Sequence, residues 1–294
     1  DSNFPAGDGS KENPYIVKTA ENMAYVALKT TPAESAGKYY QVAPNMIFNM
    51  NGMVGITLDS TVEDVRNATE GKDWVNDSKT FAGNFDGNGV IIYNLRSGNG
   101  RSNGYGGLFP HPVTDNTEKT VTIKNITIVA SRFAGYHSSG GIIGAAECST
   151  GGQTLIVENC AVKNCLIGDN GNTNNACQRT AGAIVGNCGN NVATINNCLS
   201  VNNKFVATDI SGGFLAQAGA WGGYATITNS VMIGSMPYPE IMPTSAGNKT
   251  IHDHAVNVNC FANVYTDQVI NGYGKAQIRT LTIDDLSGTN APQK

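Results

Sequence analysis

The chain has 294 residues, of which 40% are hydrophobic, only 14% are charged and 35 are glycine. A charged fraction that low against the roughly 25% of ordinary soluble domains, with a net charge of −4 and a pI near 5.6, excludes the basic footprint of a nucleic-acid or anionic-membrane binder. No run approaches the roughly 20 apolar residues of a membrane-spanning helix, and the abundant Gly, Asn, Ser and Thr suit short strands and tight turns better than helices.

Taken in chain order, residues 1–50 read as an N-terminal capping segment. Thr19-Ala20-Glu21-Asn22 opens a helix running to about Lys29, with Thr19 as N-cap and Met23, Val26 and Ala27 as its apolar face. Tyr39 to Met50 then alternates enough to begin a sheet.

Residues 51–268 carry a repeat. A β-branched or apolar residue, one further residue, Asn and a small or apolar residue recur as Ile-Tyr-Asn-Leu at 92–95, Ile-Lys-Asn-Ile at 123–126 and Val-Glu-Asn-Cys at 157–160. The pattern returns as Ile-Asn-Asn-Cys at 195–198, Ile-Thr-Asn-Ser at 227–230 and, more weakly, Asn-Val-Asn-Cys at 257–260. The shared asparagines Asn94, Asn125, Asn159, Asn197, Asn229 and Asn259 follow one another at intervals of 31, 34, 38, 32 and 30 residues. Between them stand Gly-Gly-Leu-Phe at 106–109, Gly-Gly-Ile-Ile-Gly at 140–144, Ala-Gly-Ala-Ile-Val-Gly at 181–186 and Gly-Gly-Phe-Leu-Ala at 212–216. Each unit thus holds at least two short strands and no helix of useful length, which predicts an all-β solenoid of parallel strands. Strands stacked about 4.8 Å apart align equivalent side chains in columns. Ile92, Ile123, Val157, Ile195 and Ile227 read as one interior column, and Leu95, Ile126, Cys160, Cys198, Ser230 and Cys260 as another. The asparagines read as a structural ladder of side-chain amides.

Seven cysteines, an odd number without a CxxC pair, argue against a zinc ribbon or redox motif. Most read as buried thiols. Cys177, in a polar insertion, is the candidate for a bridge or a reactive thiol. Residues 269–294 read as a C-terminal cap or the start of a linker, with Gln277 to Leu286 a final strand or short helix.

Gly-Ser-Lys-Glu-Asn-Pro-Tyr-Ile-Val at 9–17 looks like the leading segment of bacterial surface β-helix proteins. Phe-Ala-Gly-Asn-Phe-Asp-Gly-Asn-Gly-Val at 81–90 and the Gly-Gly-Ile-Ile-Gly and Ala-Ile-Val-Gly copies resemble the GLUG motif and its opening coil. The resemblance covers about residues 8–265 and implies a right-handed, single-stranded parallel β-helix on an exported, adhesin-like bacterial surface protein. Similar chains are common in gut Bacteroidetes, often as lipoproteins, so a lipid anchor upstream is compatible with the resemblance. The family carries no catalytic residue set to transfer.

The chemistry legible in the residues is sparse. Glycoside hydrolysis needs two carboxylates about 5 to 9.5 Å apart, whereas the repeat strands offer Glu158 with Lys124, Asn196 and Thr228 at its equivalents. No catalytic residue, metal site or cofactor is therefore expected. Asp86 in Phe-Asp-Gly-Asn-Gly reads as a turn residue, with a calcium ligand as the alternative. His252 and His254 share a strand face without an evident third ligand. The sequons at Asn67, Asn76, Asn125 and Asn248 include one, Asn125, that the ladder already uses.

The interval from Asn159 to Gly182 is 23 residues, against 13, 16 and 16 in the other coils, so residues 168–180 must bulge from one side. Insertions in solenoids map to one face, often the binding face. The neighbouring loops bring Arg101, Tyr105, Tyr136, His137 and Asp209 to the side that carries Asp169 and Arg179 of the insertion, a set able to hold a sugar by stacking and hydrogen bonding. The expectation is an extracellular or cell-surface binding module for a glycan or a host or bacterial surface protein. The alternatives are a polysaccharide lyase or glycoside hydrolase of β-helix type, and a spacer presenting a further C-terminal domain.

Overall fold

The structure, a computed structural model, describes residues 4, 6–74, 78, 80–98, 104–112, 119–146, 152–168, 180–189, 191–207, 210–211, 213–217, 224–237, 255–258 and 261–262. Its strands stack as a parallel β-solenoid. The largest sheet is built on Asn84–Tyr93 and Thr120–Val129, continued by Thr154–Glu158, Val192–Asn196, Tyr224–Thr228 and Ala255–Val258 and, past a corner, by Ala161–Lys163, Leu199–Val201, Val231–Ile233 and Phe261–Ala262. Three further sheets run from Arg96–Ser97 to Met236–Pro237, from Tyr105–Gly106 to Ile210–Ser211, and from Ile143–Ala145 to Leu215–Gln217. Each strand in them pairs in parallel with its equivalent one coil away.

Alternation decides which side chains enter the core. Ile123, Val157, Ile195 and Ile227 are in register and buried, while Thr122, Ile156, Thr194 and Thr226 beside them face outward and are half-buried. One continuous apolar cluster extends from Phe4 to Met232.

The corner of the main sheet is made by Asn125, Asn159, Asn197 and Asn229, all at positive φ (60°, 51°, 52° and 51°), a conformation asparagine tolerates better than other non-glycine residues. Asn159 Nδ2 donates to Asn125 Oδ1 at 3.1 Å and Asn197 Nδ2 to Asn159 Oδ1 at 2.7 Å. Asn229 Nδ2 turns instead to Asn196 Oδ1, at 3.1 Å. Asn197→Ala is expected to cost about 1–2 kcal/mol through the left-handed backbone alone. Asn197→Gly keeps that backbone and should cost less in a denaturant melt.

Asn94 does not belong to this ladder. Its strand meets Thr120–Val129 with a register shift between Asp86 and Val90, so Asn125 faces the Gly87-Asn88-Gly89 bulge. Asn94 falls on the next corner, in register with Ala130, Asn164, Asn202 and Gly234, all at positive φ. Ile92 accordingly stacks on Ile128, and Leu95 bonds across to Ser131, whose Oγ accepts its N–H at 3.0 Å. The same short Asn pattern serves two corners of one coil, and motif matching alone merges them. Asn259 lies outside the described residues.

Cys160 and Cys198 follow the first corner, and Cys165 and Cys188 sit elsewhere; all four are buried free thiols. Burial pushes Cys165 up to about 12 and Cys160 well above the ordinary thiol range, so neither is a nucleophile at neutral pH. Cys148, Cys177 and Cys260 lie outside the described residues.

At the N-terminal end, Tyr15–Val17 pairs with Tyr39–Val42, which pairs with Asn84–Tyr93. Helix α1, Ala20–Leu28, covers the opening: Thr19 Oγ1 accepts from Asn22 N at 3.0 Å, and Met23, Val26 and Ala27 are buried. Helix α2, Pro32–Ser35, follows directly, closed by a reciprocal capping box between Thr31 and Glu34. This box is legible as Thr-Pro-Ala-Glu at 31–34.

Residues 52–74 leave the coil as an excursion. It closes on itself at Met53 and Glu70, carries helix α3 (Val62–Asn67), and lies on the outside of the solenoid. Met53, Ile56, Val62 and Val65 pack there against Val129, Ala130, Leu166 and Val206. Asn94 clamps its base, accepting from Met53 N at 2.8 Å and donating to Met53 O at 3.0 Å. No helix among the described residues is long and apolar enough to cross a membrane.

A candidate aromatic and imidazole site on the loop-bearing flank

Tyr105–Gly106, Ser138–Gly140 and Thr180–Gly182 are stacked equivalents on the flank from which the long insertion departs. The backbone stitches them together: His137 N donates to Gly104 O at 2.8 Å, and Thr180 N to His137 O at 3.1 Å. Beneath them the buried Thr180 Oγ1 donates to Ser138 Oγ at 2.9 Å. Glycine permits the stacking, since a Cβ on Gly135 would lie 2.3 Å from Gly106 N and from Ser138 O.

This close stacking gathers rings. Tyr136 meets His137 edge-on, with centroids 4.8 Å apart, and His137 lies 6.3 Å from Tyr105. Tyr105 in turn lies 4.4 Å from His111. Tyr105, Tyr136 and His137 are half-buried and present one side to solvent, whereas His111 is buried behind Tyr105, its carbonyl accepting from Thr80 N at 3.0 Å. Three of the predicted binding residues are thus brought together. Arg101, Asp169, Arg179 and Asp209 lie outside the described residues. Sequence reasoning missed His111. Its signal was Phe-Pro-His-Pro at 109–112, directly after the strand pattern Gly-Gly-Leu-Phe, where the chain turns back along the same flank.

The rings offer π faces for stacking, and the imidazoles and phenols offer hydrogen-bonding groups, with no carboxylate among the four. Such a set recognises a ligand with one apolar face and a hydroxyl rim.

Asp86, Glu70 and Asp73 are engaged in structure. Asp86 Oδ1 accepts from Asn88 N at 2.8 Å and from Asn125 Nδ2 at 2.8 Å, while Oδ2 lies 3.6 Å from Lys124 Nζ. Arg96 and Arg132 stack in register beneath the end of the excursion. Arg96 Nη1 reaches Glu70 and Asp73 at 3.4 Å each, and Nη2 donates to Gly71 O at 3.0 Å. Burial raises the Asp73 carboxyl above its ordinary value, with Arg96 opposing that shift. These contacts fasten the excursion to the coil.

Among the described residues no group of three or more His, Cys, Asp or Glu is placed to hold a metal ion. His252, His254, Asp284 and Asp285 lie outside the described residues, as do Asn76 and Asn248. Asn67 is exposed at the end of α3.

No family model matches the chain, and no curated protein matches it. Among solved structures the chain is similar to a crystal structure from Bacteroides ovatus described as a "putative immunoglobulin A1 protease", at 16% identity over 95% of this chain and 87% of that one, with a TM-score of 0.48. At that identity and score the likeness carries no argument about what this chain does.

Proposed function

We propose that this chain is a non-enzymatic binding module of a GLUG-type surface protein, displayed outside the cell, that holds a glycan on its loop-bearing flank. The observation that supports this reading is the convergence of Tyr105, Tyr136 and His137 at the root of the long insertion, with His111 supporting Tyr105 from behind. A pyranose ring presents an apolar face that stacks on such rings, and its hydroxyls find the imidazole and phenol groups at the edges. The rigid strand pairing under the rings holds them in place before the ligand arrives, which lowers the ordering cost of binding.

The test is a broad glycan array probed with the chain, followed by titration of the best ligand. Tyr136→Ala is expected to weaken binding by about tenfold, roughly 1.4 kcal/mol, while the melting temperature stays unchanged. Absence of saturable binding across the array would retire the glycan and turn the search to surface proteins.

A further inference from the structure

The segment behind the rings is pinned at every carbonyl. Gly144 N donates to Phe109 O at 3.2 Å and Ala145 N to Pro110 O at 3.0 Å, both from the following coil. Thr80 N donates to His111 O at 3.0 Å, and Gln153 Nε2 donates to Pro112 O at 3.1 Å. Pro110 and Pro112 fix their own φ as well. Phe109-Pro110-His111-Pro112 therefore has little freedom left, and it carries the imidazole that lies 4.4 Å from the Tyr105 ring.

The first two bonds are ordinary pairing between coils, whereas the last two are particular to this place. Thr80 reaches His111 from the N-terminal cap: its Oγ1 donates to Ala27 O, in the last turn of α1, at 3.1 Å, and its backbone bridges Pro112 in parallel. Its neighbour Phe81 sits at a φ of 28°, a left-handed conformation that disfavours residues with a side chain. Such a residue persists where its surroundings over-determine it. Here Phe81 N donates to Thr30 O at 3.2 Å, and the Phe109 ring lies 4.9 Å away. Gln153 comes from the following coil. It is 1% exposed, so its amide would be costly to bury without a bond such as the one to Pro112. Its backbone is fixed in turn from the coil beyond, where Asn191 Oδ1 accepts from Gln153 N at 3.2 Å and Asn191 Nδ2 donates to Ala146 O.

We propose that Thr80 and Gln153 are positioning residues of the ring site: by fixing His111 and Pro112 from the cap side and from the following coil, they hold the His111 imidazole against Tyr105 and so set the surface that the ligand meets. The proposal rests on the reading of the ring cluster as a glycan site. Both residues act through His111. A site whose supporting side chains are locked in this way binds without first having to order itself.

The test reads ring geometry and binding separately, in the full chain. Proton–carbon NMR signals of the His111 imidazole, assigned by their loss in His111→Gln, report the Tyr105 ring beside it. Tyr105→Leu gives their position without that ring. Gln153→Met and Thr80→Val each remove one side-chain donor with little change of volume. Both are expected to move the His111 signals toward their Tyr105→Leu positions and to weaken binding of the best glycan from the array about fivefold. Ile195→Val, a substitution in the buried column of the main sheet, should lower the melting temperature yet leave the His111 signals in place. Unmoved signals in Gln153→Met and Thr80→Val, signals that move as far in Ile195→Val, or moved signals with unchanged affinity would overturn the proposal. Should Gln153→Met fail to fold, Thr80→Val decides it. If no glycan binds the unmodified chain, the glycan reading falls, and the His111 signals still decide whether the two residues hold the rings.

Discussion

Replacing Phe109 by alanine is expected to cost about 3–5 kcal/mol, the range of a large aromatic removed from a packed core. Phe109 is fully buried and meets Phe81 at 4.9 Å and Phe85 at 5.3 Å between ring centroids. Phe81 carries the contact on to Tyr40 at 5.6 Å, Tyr40 to Tyr15 at 5.4 Å, and Tyr15 to Phe4 at 5.2 Å. This aromatic row links the N-terminal cap to the first coils. Its rings come from distant segments, so neighbours cannot collapse into the space that Phe109 leaves. A urea melt is the measurement, with a lower midpoint and an unchanged slope as the expected signature of a cavity in an otherwise intact fold. Phe109→Leu, which fills most of the volume, should lose much less. A loss below about 1 kcal/mol for the alanine variant would mean that the row does not carry the cap.

Gly140→Ala should be comparably severe, at about 3 kcal/mol or more, for a different reason. A Cβ there would stand 2.2 Å from Ile143 O and 2.7 Å from Gly186 N, both backbone atoms that cannot rotate away. The other glycines of this pattern are as tightly placed: Gly182 would meet Val185 O at 2.2 Å, and Gly186 would meet Gly144 O at 2.4 Å. The Gly-Gly-x-x-Gly copies are therefore sites of close approach, both to the backbone three residues on in the same coil and to the backbone of the neighbouring coil. Gly104→Ala is the control, since its Cβ would lie 3.6 Å from His137 Cδ2, an ordinary contact. It should melt within about 0.5 kcal/mol of the unmodified chain. Equal melts for Gly140→Ala and Gly104→Ala would refute the close-approach reading.

Much of the solenoid was legible because its constraint is local and repeated. A residue at Ile123 and its counterparts at 157, 195 and 227 must each satisfy the same inward column, so the same pattern is written once per coil. The N-terminal helix was legible for a similar reason, since Thr19 and the spacing of Met23, Val26 and Ala27 state its start and its buried face within nine residues. The excursion was not. Residues 52–74 break no periodicity of their own, and their apolar residues look like those of any strand until Asn94, 41 residues away, clamps Met53.

The candidate site shows the same division. Tyr105, Tyr136 and His137 could be placed on one flank because each stands just before the Gly-Gly element of its own coil. His111 could not, since its contact with Tyr105 depends on how the chain turns after Phe109.

By itself, then, the sequence determined the architecture: parallel strands, asparagine corners, a glycine contact in each coil and a capped start. These follow from side-chain period and from which residues tolerate positive φ, properties held within a few positions of the chain. The tertiary structure alone decided that Asn94 belongs to a second corner, because a two-residue difference in register is invisible until strand Asn84–Tyr93 bulges against Thr120–Val129. It alone decided which outer face the excursion covers, and that Arg96 and Arg132 stack beneath Asp73. Those outcomes rest on contacts between residues far apart in sequence, where apolar burial and charge pairing choose among many compatible local structures.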